Sequence, residues 1–176
     1  MKNYKKNLKI LEDGHVYSKE MEHDACGVGL IASTEGKKSR KVVEYGINAL
    51  KAVWHRGAVD ADGKTGDGAG IHLEIPSDFF AEKIELTGHD HDGSEICVGM
   101  IFLPRNNYQA QENARTLVES ELTKSNFSIY GWRQVPVNPK VLGEKANLTR
   151  PEITQVLFKH NNKDLTEKEL ERKIYE

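Results

Sequence analysis

Short apolar runs alternate with amphipathic stretches along most of the chain. Each run is bounded by polar residues, Gly or Pro, which is the pattern of a buried β-strand. The predicted strands cover residues 26–32, 69–75, 96–103, 127–137 and 153–159. Cys97 lies inside the third of these strands, so we expect its thiol to be part of the core.

The stretches between the strands carry helix signals. Ser39 is a suitable N-cap and Gly57 a suitable stop for a helix whose apolar positions recur at helical spacing, namely Val43, Ile47, Leu50 and Trp54. Further helices are predicted over residues 78–86, over residues 108–123, and from Thr166, which has capping-box spacing to Glu169. Helices and strands alternate without an internal repeat, which indicates a fold of mixed α and β class.

Composition narrows the classes of protein to consider. The 176 residues suffice for one domain with a sizeable core. The 25 basic and 27 acidic residues nearly cancel and form no long block of one sign, which argues against nucleic-acid binding. No stretch approaches the roughly 18 consecutive apolar residues of a membrane span. The N-terminal stretch lacks a secretory signal's apolar centre, and two cysteines suit a reducing compartment, so we predict a cytoplasmic protein.

Three familiar motifs are matched only in part. Residues 27–32 fit G-x-G-x-x-A, but polar residues precede the first glycine where a dinucleotide-binding fold needs a strand. Gly57 and Gly63 are separated by one residue more than the glycines of a P-loop, and a helix leads into them instead of a strand. Residues 89–92, His-Asp-His-Asp, lack the spacing of known zinc sites, so we predict a solvated loop and no metal site.

Cys26 is the candidate nucleophile. Considered alone it is better explained as a core residue, because free Cys is among the most buried residue types and this one begins an apolar run. The segments around it change that interpretation. The run from Asp24 to Ala32 resembles the start of the class II glutamine amidotransferases, and the similarity continues through residues 54–58, Trp-His-Arg-Gly-Ala.

Other segments resemble one branch of that class, the glutamate synthase family. Residues 62–70 are Asp-Gly-Lys-Thr-Gly-Asp-Gly-Ala-Gly, residues 131–136 are Gly-Trp-Arg-Gln-Val-Pro, and shorter matches fall at 98–100 and 141–144. The Cys-Gly and His-Arg-Gly segments are shared by the wider class, whereas residues 62–70 and 131–136 are much more specific. The resemblance covers about residues 20–176.

The resemblance implies an α+β fold of the N-terminal-nucleophile hydrolase type, an αββα sandwich that is incomplete in this chain, with Cys26 on an edge of one sheet. In such enzymes the nucleophile is the first residue of the mature chain. Its α-amine, with a pKa of about 7.7–8.0, then acts as the general base. We therefore expect residues 1–25 to be a propeptide and residues 26–176 to be the N-terminal portion of the amidotransferase domain.

Arg56 is a second, supporting candidate. Its charge would favour the Cys26 thiolate and anionic intermediates. The alternative, of equal weight, is a structural role as a cation at a helix C-terminus, followed by the capping Gly57. The glycines at 63, 66, 68 and 70 are expected to serve a tight turn and not to contact substrate.

The implied reaction is hydrolysis of glutamine, through a Cys26 thioester, to glutamate and ammonia. In a glutamate synthase the ammonia then serves the reductive amination of 2-oxoglutarate in synthase domains of the same polypeptide, which use FMN and an iron–sulfur cluster. The resemblance leaves open whether a small subunit or ferredoxin donates the electrons. We expect no cofactor within this chain.

Two parts of the family's pocket have no counterpart in the sequence. The family forms its oxyanion hole with an Asn-Gly pair, yet none of the eleven asparagines precedes a Gly. No Arg-aromatic-Ser-Thr-Asn segment is present to hold the glutamine carboxylate. We expect these substrate-binding residues beyond Glu176, and no useful glutaminase activity from this chain alone.

Two other functions stay open. The first is another class II amidotransferase, with a sugar phosphate or phosphoribosyl pyrophosphate as the ammonia acceptor. The second is an amidotransferase-like domain that regulates a partner without catalysis.

Overall fold

The computed structural model describes residues 6, 9–10, 13, 27–53, 59–66 and 68–176. The chain divides into two compact units. The first comprises residues up to 58 together with 67–71, and the second comprises 59–66 and 72–176. None of the helices in the described part of the chain is long and apolar enough to cross a membrane.

In the first unit, helix α1 spans Arg40–Ala52. The Ser39 hydroxyl accepts a hydrogen bond from the Lys41 amide at 3.2 Å, so the predicted N-cap is confirmed. The helix ends at Ala52, before the predicted stop at Gly57, and the Val53 amide donates to the Ala49 carbonyl at 3.3 Å. The rest of the predicted helix, residues 54–57, lies outside the described residues.

The first two predicted strands are wrong within the described residues, since 27–32 and 69–75 belong to no β-ladder. The side chains of Val28 and Leu30 are 97% and 89% exposed. A strand requires a neighbouring backbone to satisfy its amides and carbonyls, and no described segment pairs with either stretch. An apolar run indicates a tendency to be buried, but it does not show that a neighbouring strand is present to pair with it.

The second unit follows the predicted order of elements. Its members are α2 (Ser77–Glu85), β1 (Cys97–Leu103), α3 (Tyr108–Lys124), β2 (Phe127–Gln134), a 3₁₀ helix (Pro139–Val141), α4 (Glu144–Thr149), β3 (Glu152–His160) and α5 (Glu167–Tyr175). The short helix α4 was not predicted. Strand β2 ends before the predicted Val137, because Pro136 has no amide hydrogen to continue the ladder.

Strand β3 lies at the centre of the sheet and is antiparallel to both β1 and β2. One face packs against α3 and α5 through a core that contains Cys97, Phe127, Val156, Phe158 and Leu170. The other face packs against α2 through a core that contains Phe80, Ile84, Ile96, Tyr130 and Leu157. The alternation of inward and outward residues along each strand sends the apolar side chains to both faces.

Close packing in the sheet depends on Gly99. This residue pairs with Val156 across β1 and β3. A Cβ at position 99 would lie 2.8 Å from Cγ1 of Val156, a side chain that is 1% exposed. The missing side chain on β1 therefore makes room for a buried one on β3.

Helix α5 begins as its sequence predicts. The Thr166 hydroxyl accepts from the Glu169 amide, and the Glu169 carboxylate accepts from the Thr166 amide at 2.9 Å. This reciprocal pair is the predicted capping box, and it brings Leu170 onto the sheet.

Candidate functional site

Both predicted catalytic residues, Cys26 and Arg56, lie outside the described residues, as do Trp54, His55 and Gly57. The roles of Cys26 and Arg56 therefore stay predictions. The described residues contain the other segments that carry the family resemblance, and these segments define the geometry that follows.

Residues 59–66 form a tight loop in the second unit. Val59 and Gly66 form an isolated antiparallel bridge, and the Asp60 amide donates to the Thr65 carbonyl at 2.6 Å. Gly63 has a φ of +67°, a conformation that favours glycine, so its predicted role in a turn is confirmed. Gly68 and Gly70 have open space at their Cβ positions, and the turn explanation is not confirmed for them.

Asp62 organises this loop. Its carboxylate accepts hydrogen bonds from the amide of Lys64 at 2.9 Å, the amide of Thr65 at 2.6 Å and the hydroxyl of Thr65 at 2.5 Å. These donors, the Thr65 hydroxyl first, lower the pKa of Asp62 from 3.8 to about 2. The side chain is thus a fixed anion at neutral pH that holds its own loop closed.

The same carboxylate joins the loop to the start of α4. The Glu144 amide donates to Asp62 Oδ2 at 3.1 Å, and the Lys145 ammonium lies 2.6 Å from Asp60 Oδ2. A Cβ on Gly143 would overlap Asp62 Oδ2 and both the amide nitrogen and hydroxyl of Thr65. We call this arrangement the Asp62–Gly143 contact. It brings together two segments of the resemblance, 62–70 and 141–144, at one place.

Sequence reasoning did not identify the Asp62–Gly143 contact. The usable signals were an Asp-Gly-x-Thr turn, whose carboxylate favours nearby backbone donors, and a glycine directly before a run with helical propensity. Neither signal states which distant segment the other meets.

The Gly-Trp-Arg segment places its two large side chains on opposite faces of the sheet. Trp132 Nε1 donates to the Glu119 carboxylate of α3 at 2.6 Å. Arg133 Nη1 donates to Gln155 Oε1 at 2.6 Å, and its guanidinium lies 5.3 Å from the centroid of the Phe79 ring. The segment therefore ties the end of β2 to α3 on one face and to α2 and β3 on the other.

The His-Asp-His-Asp stretch, residues 89–92, is a loop as predicted, and Asp92 anchors it. The Asp92 carboxylate lies 2.7 Å from the Lys159 ammonium and 2.8 Å from that of Lys163. These two hydrogen bonds, that from Lys159 first, hold the pKa of Asp92 well below its usual range. Within the described residues no group of three His, Cys, Asp or Glu side chains is arranged to hold a metal ion.

Cys97 is a buried free thiol, 4% exposed, as predicted. Burial, with a smaller contribution from Glu95, raises its pKa from 9.0 to about 11. The thiol is therefore protonated at neutral pH. It is a core residue and is unsuited to act as a nucleophile.

The family model of the class II glutamine amidotransferases matches residues 26–176. The chain belongs to that family, and the resemblance inferred from the sequence is confirmed. The match begins at Cys26, the residue predicted to be the nucleophile.

Several curated relatives of the chain are glutamate synthases. It is 51% identical over 98% of its length to the "Glutamate synthase (NADPH) large chain" of Azospirillum brasilense. It is 42% identical over 77% of its length to "Ferredoxin-dependent glutamate synthase 2" of Synechocystis sp., and 40% identical over 88% to an Arabidopsis thaliana ferredoxin-dependent glutamate synthase. The chain spans only 11%, 9% and 9% of these relatives, about a tenth of their length.

Proposed function

We propose that this chain is the N-terminal portion of the glutaminase domain of a glutamate synthase. The observation that carries the proposal is the family match, which starts at Cys26 and continues to Glu176, together with the 51% identity to a glutamate synthase large chain. The alternative of another class II amidotransferase, with a sugar phosphate or phosphoribosyl pyrophosphate as the ammonia acceptor, has no comparable support.

Cys26 is the proposed nucleophile once residues 1–25 have been removed. Its free α-amine takes the thiol proton, and the thiolate attacks the side-chain amide carbon of glutamine. The tetrahedral intermediate collapses when the protonated amine delivers its proton to the leaving nitrogen, which releases ammonia. Water then adds to the thioester, with the amine again as base, and the products are glutamate and the restored thiol. An internal Cys26 lacks this amine, so cleavage before it is part of the proposal.

Arg56 is proposed to favour the anionic species along this path. A fixed positive charge near Cys26 lowers the cost of forming the thiolate and of placing charge on the intermediate's oxygen. Arg56 precedes Val59, the first residue of the loop that the Asp62–Gly143 contact fixes, by three positions in the sequence.

The finer fold that we propose is the αββα sandwich of the N-terminal-nucleophile hydrolases, in which further segments of the domain cover residues 27–32 and 69–75. Exposed apolar side chains in both stretches support this part of the proposal: Val28, Leu30, Ile71, Leu73 and Ile75 are each at least 37% exposed. Such runs are stabilised once a partner strand covers them.

An iron–sulfur cluster does not fit this chain. An iron–sulfur cluster of the usual kind needs about four Cys ligands, whereas the sequence has two cysteines and Cys97 lies in the core. We propose that the cluster and FMN belong to the synthase domains of a longer polypeptide, where ammonia aminates 2-oxoglutarate. A small subunit or ferredoxin is the proposed electron donor, and the cytoplasm the proposed location.

The decisive experiment uses the full-length protein purified from its native host. Intact mass and N-terminal sequencing are expected to show a chain that begins at Cys26. A Cys26→Ala variant is expected to lose glutamine-dependent glutamate formation while keeping formation driven by added ammonium, because only the glutaminase step needs the thiol. Cys97→Ser is the matched control and is expected to keep both activities, and its circular dichroism spectrum reports whether it is folded.

Two results would contradict the proposal. One is an active protein that retains Met1 at its N-terminus, which would leave Cys26 without its base and favour a different mechanism. The other is a Cys26→Ala protein that still uses glutamine.

A further inference from the structure

The chain passes from one compact unit to the other three times between residues 58 and 72. Residues 59–66 belong to the second unit, whereas the residues directly before and after them, up to 58 and from 67 to 71, belong to the first. Both ends of the loop therefore continue into the first unit. Arg56 lies close to one of these ends, three positions before Val59. A contact that fixes the loop also limits where Arg56 can lie.

The loop is closed by its own hydrogen bonds. Its first and last residues, Val59 and Gly66, form the isolated bridge described above. The Asp60 amide donates to the Thr65 carbonyl at 2.6 Å, and the Gly63 amide donates to the Asp60 carbonyl at 2.9 Å. Because the two ends are joined in this way, a contact made at the middle of the loop fixes both of them.

Asp62 makes that contact. Two donors reach each of its carboxylate oxygens: the Lys64 and Thr65 amides donate to Oδ1, and the Thr65 hydroxyl and the Glu144 amide donate to Oδ2. A carboxylate offers about four lone-pair sites, so these four donors occupy them. Asp62 therefore serves the loop and has no acceptor site left for a substrate.

The other links between the loop and α4 are weaker. Lys145 pairs with Asp60, but its side chain is 69% exposed, and solvent screening leaves such a pair little effect on stability. Gly143 contributes by leaving room, since a Cβ there would overlap Asp62 Oδ2. The anchoring of the loop thus depends mainly on the Asp62 carboxylate.

Covalent geometry carries this anchoring to Arg56. Three residues of chain span at most about 11 Å, so the backbone of Arg56 lies within that distance of Val59. If the loop were released from α4, Val59 would no longer have a fixed position and Arg56 would sample more positions. The attraction between two charges falls with their separation, and a misplacement of about 1 Å can cost on the order of 100-fold in rate.

We propose that Asp62 is a positioning residue for the glutaminase reaction, because it holds Arg56 in place through the loop of residues 59–66. The proposal rests on the proposed function, in which the charge of Arg56 favours the Cys26 thiolate. Asp62 acts through Arg56 and not by contact with glutamine.

The test uses the full-length protein with Asp62→Asn, whose amide group cannot accept from all four donors. The kcat of glutamine-dependent glutamate formation is expected to fall about tenfold or more. The KM for glutamine is expected to change by less than about twofold, since the lost interaction favours the anionic species and not substrate binding. Glutamate formation driven by added ammonium is expected to stay the same.

The thiol of Cys26 gives a second measurement. Its rate of modification by iodoacetamide, followed by mass spectrometry of the N-terminal peptide, rises with pH as the thiolate forms. In Asp62→Asn the midpoint of this rise is expected to move to higher pH, as in Arg56→Gln, because the thiolate loses a nearby positive charge. A purely structural role of Asp62 would leave the midpoint in place.

Matched variants show whether the effect depends on this loop. Thr65→Val removes one donor to Asp62 and is expected to change kcat and the midpoint in the same direction, whereas Thr65→Ser keeps the hydroxyl and is expected to change neither. Asp92→Asn is the control. Asp92 also fixes a loop of the second unit, through Lys159 and Lys163, but that loop does not lead to Arg56. Circular dichroism shows whether each variant is folded.

A double variant tests the route of the effect. If Asp62 acts through Arg56, the combination of Asp62→Asn with Arg56→Gln is expected to have the same kcat as Arg56→Gln alone, because the second change removes nothing further.

Three results would overturn the proposal: an unchanged kcat and midpoint in Asp62→Asn, an equal loss in Asp92→Asn, or additive losses in the double variant. Each is distinct from failure of the proposed function. That failure is a Cys26→Ala protein that still uses glutamine, whereas these three results concern a protein whose use of glutamine requires Cys26.

Discussion

The Asp62 carboxylate occupies the space in which a side chain at position 143 would begin. It accepts the Glu144 amide at 3.1 Å while it also holds the Thr65 amide and hydroxyl. The loop of residues 59–66 is thereby fixed against the first turn of α4. The glycine is required here by close approach and not by its conformation, since its φ of −69° is open to any residue.

Gly143→Ala is expected to lower the free energy of unfolding by about 1–3 kcal/mol, because the new Cβ would displace Asp62 or the Thr65 backbone. Urea unfolding gives the change, and the Thr65 amide resonance reports whether the loop has moved. Gly68→Ala is the control, since a Cβ there meets nothing within 4 Å. Equal stability of the two variants would show that the Asp62–Gly143 contact is dispensable.

The acid sensitivity of the loop is expected to depend on Asp62. Its pKa is lowered from 3.8 to about 2, so the carboxylate stabilises the folded state above its ordinary pKa, and this stabilisation is lost as the pH falls through about 2. A ¹³C titration of the carboxyl group measures the pKa directly. Asp62→Asn is expected to flatten the fall of the melting temperature between about pH 4 and pH 2.

Asp90→Asn is the control for the pH dependence of the melting temperature, because Asp90 makes no side-chain hydrogen bond with the described residues. A carboxyl at position 62 that titrates at its ordinary pKa would contradict the hydrogen bonding described above.

Cys97 is expected to resist thiol reagents in the folded chain. Its pKa of about 11 and its burial leave almost no accessible thiolate at pH 8. In a Cys26→Ser background, iodoacetamide modification followed by mass spectrometry isolates this single thiol. The rate is expected to rise by orders of magnitude in 8 M urea. Rapid modification without denaturant would show that the core around β1 opens readily.

Substitutions at Gly99 and Val156 are expected to have non-additive effects on the free energy of unfolding, because the two residues are in contact. Gly99→Ala should destabilise the chain by about 1–3 kcal/mol through overpacking, and Val156→Ala should destabilise it through a cavity. In the double variant the alanine at 99 partly fills the space that Val156 vacates. The coupling energy in a double-mutant cycle of urea unfolding is therefore expected to favour the double variant by about 0.5–3 kcal/mol.

Additive effects would contradict this contact. The reference pair is Gly99→Ala with Leu117→Ala, because Leu117 is exposed on the surface of α3 and is not in contact with the buried Val156 cluster. That pair is expected to be additive.

Local signals in the sequence were sufficient to predict a helix or strand wherever the element's own residues stabilise it. The hydroxyls of Ser39 and Thr166 cap their helices as predicted, and the apolar run of β1 meets a partner. The helix α4 has only six residues, too few for hydrophobic periodicity to mark it. The same local reasoning placed Cys97 in the core correctly.

Features that depend on contacts between residues far apart in the sequence could not be predicted from local signals. Residues 27–32 have the composition of a strand, but the chain contains no local indication of a neighbouring backbone for them. The Asp62–Gly143 contact joins residues 81 positions apart, beyond the reach of any periodic pattern. The candidate nucleophile was recognised from family resemblance, because its type and position alone favoured a core residue.

The order of strands in the sheet also constrains how the chain can fold as it is made. Strands β1 and β2 do not pair with each other, and the strand that joins them, β3, is the last of the three to be synthesised. Until residues 152–160 have left the ribosome, β1 and β2 cannot form the pairing with β3 that the sheet requires, and their apolar faces remain exposed. Assembly of this sheet therefore follows the synthesis of β3, and in the interval before it the apolar faces of β1 and β2 are exposed to chaperones and to aggregation.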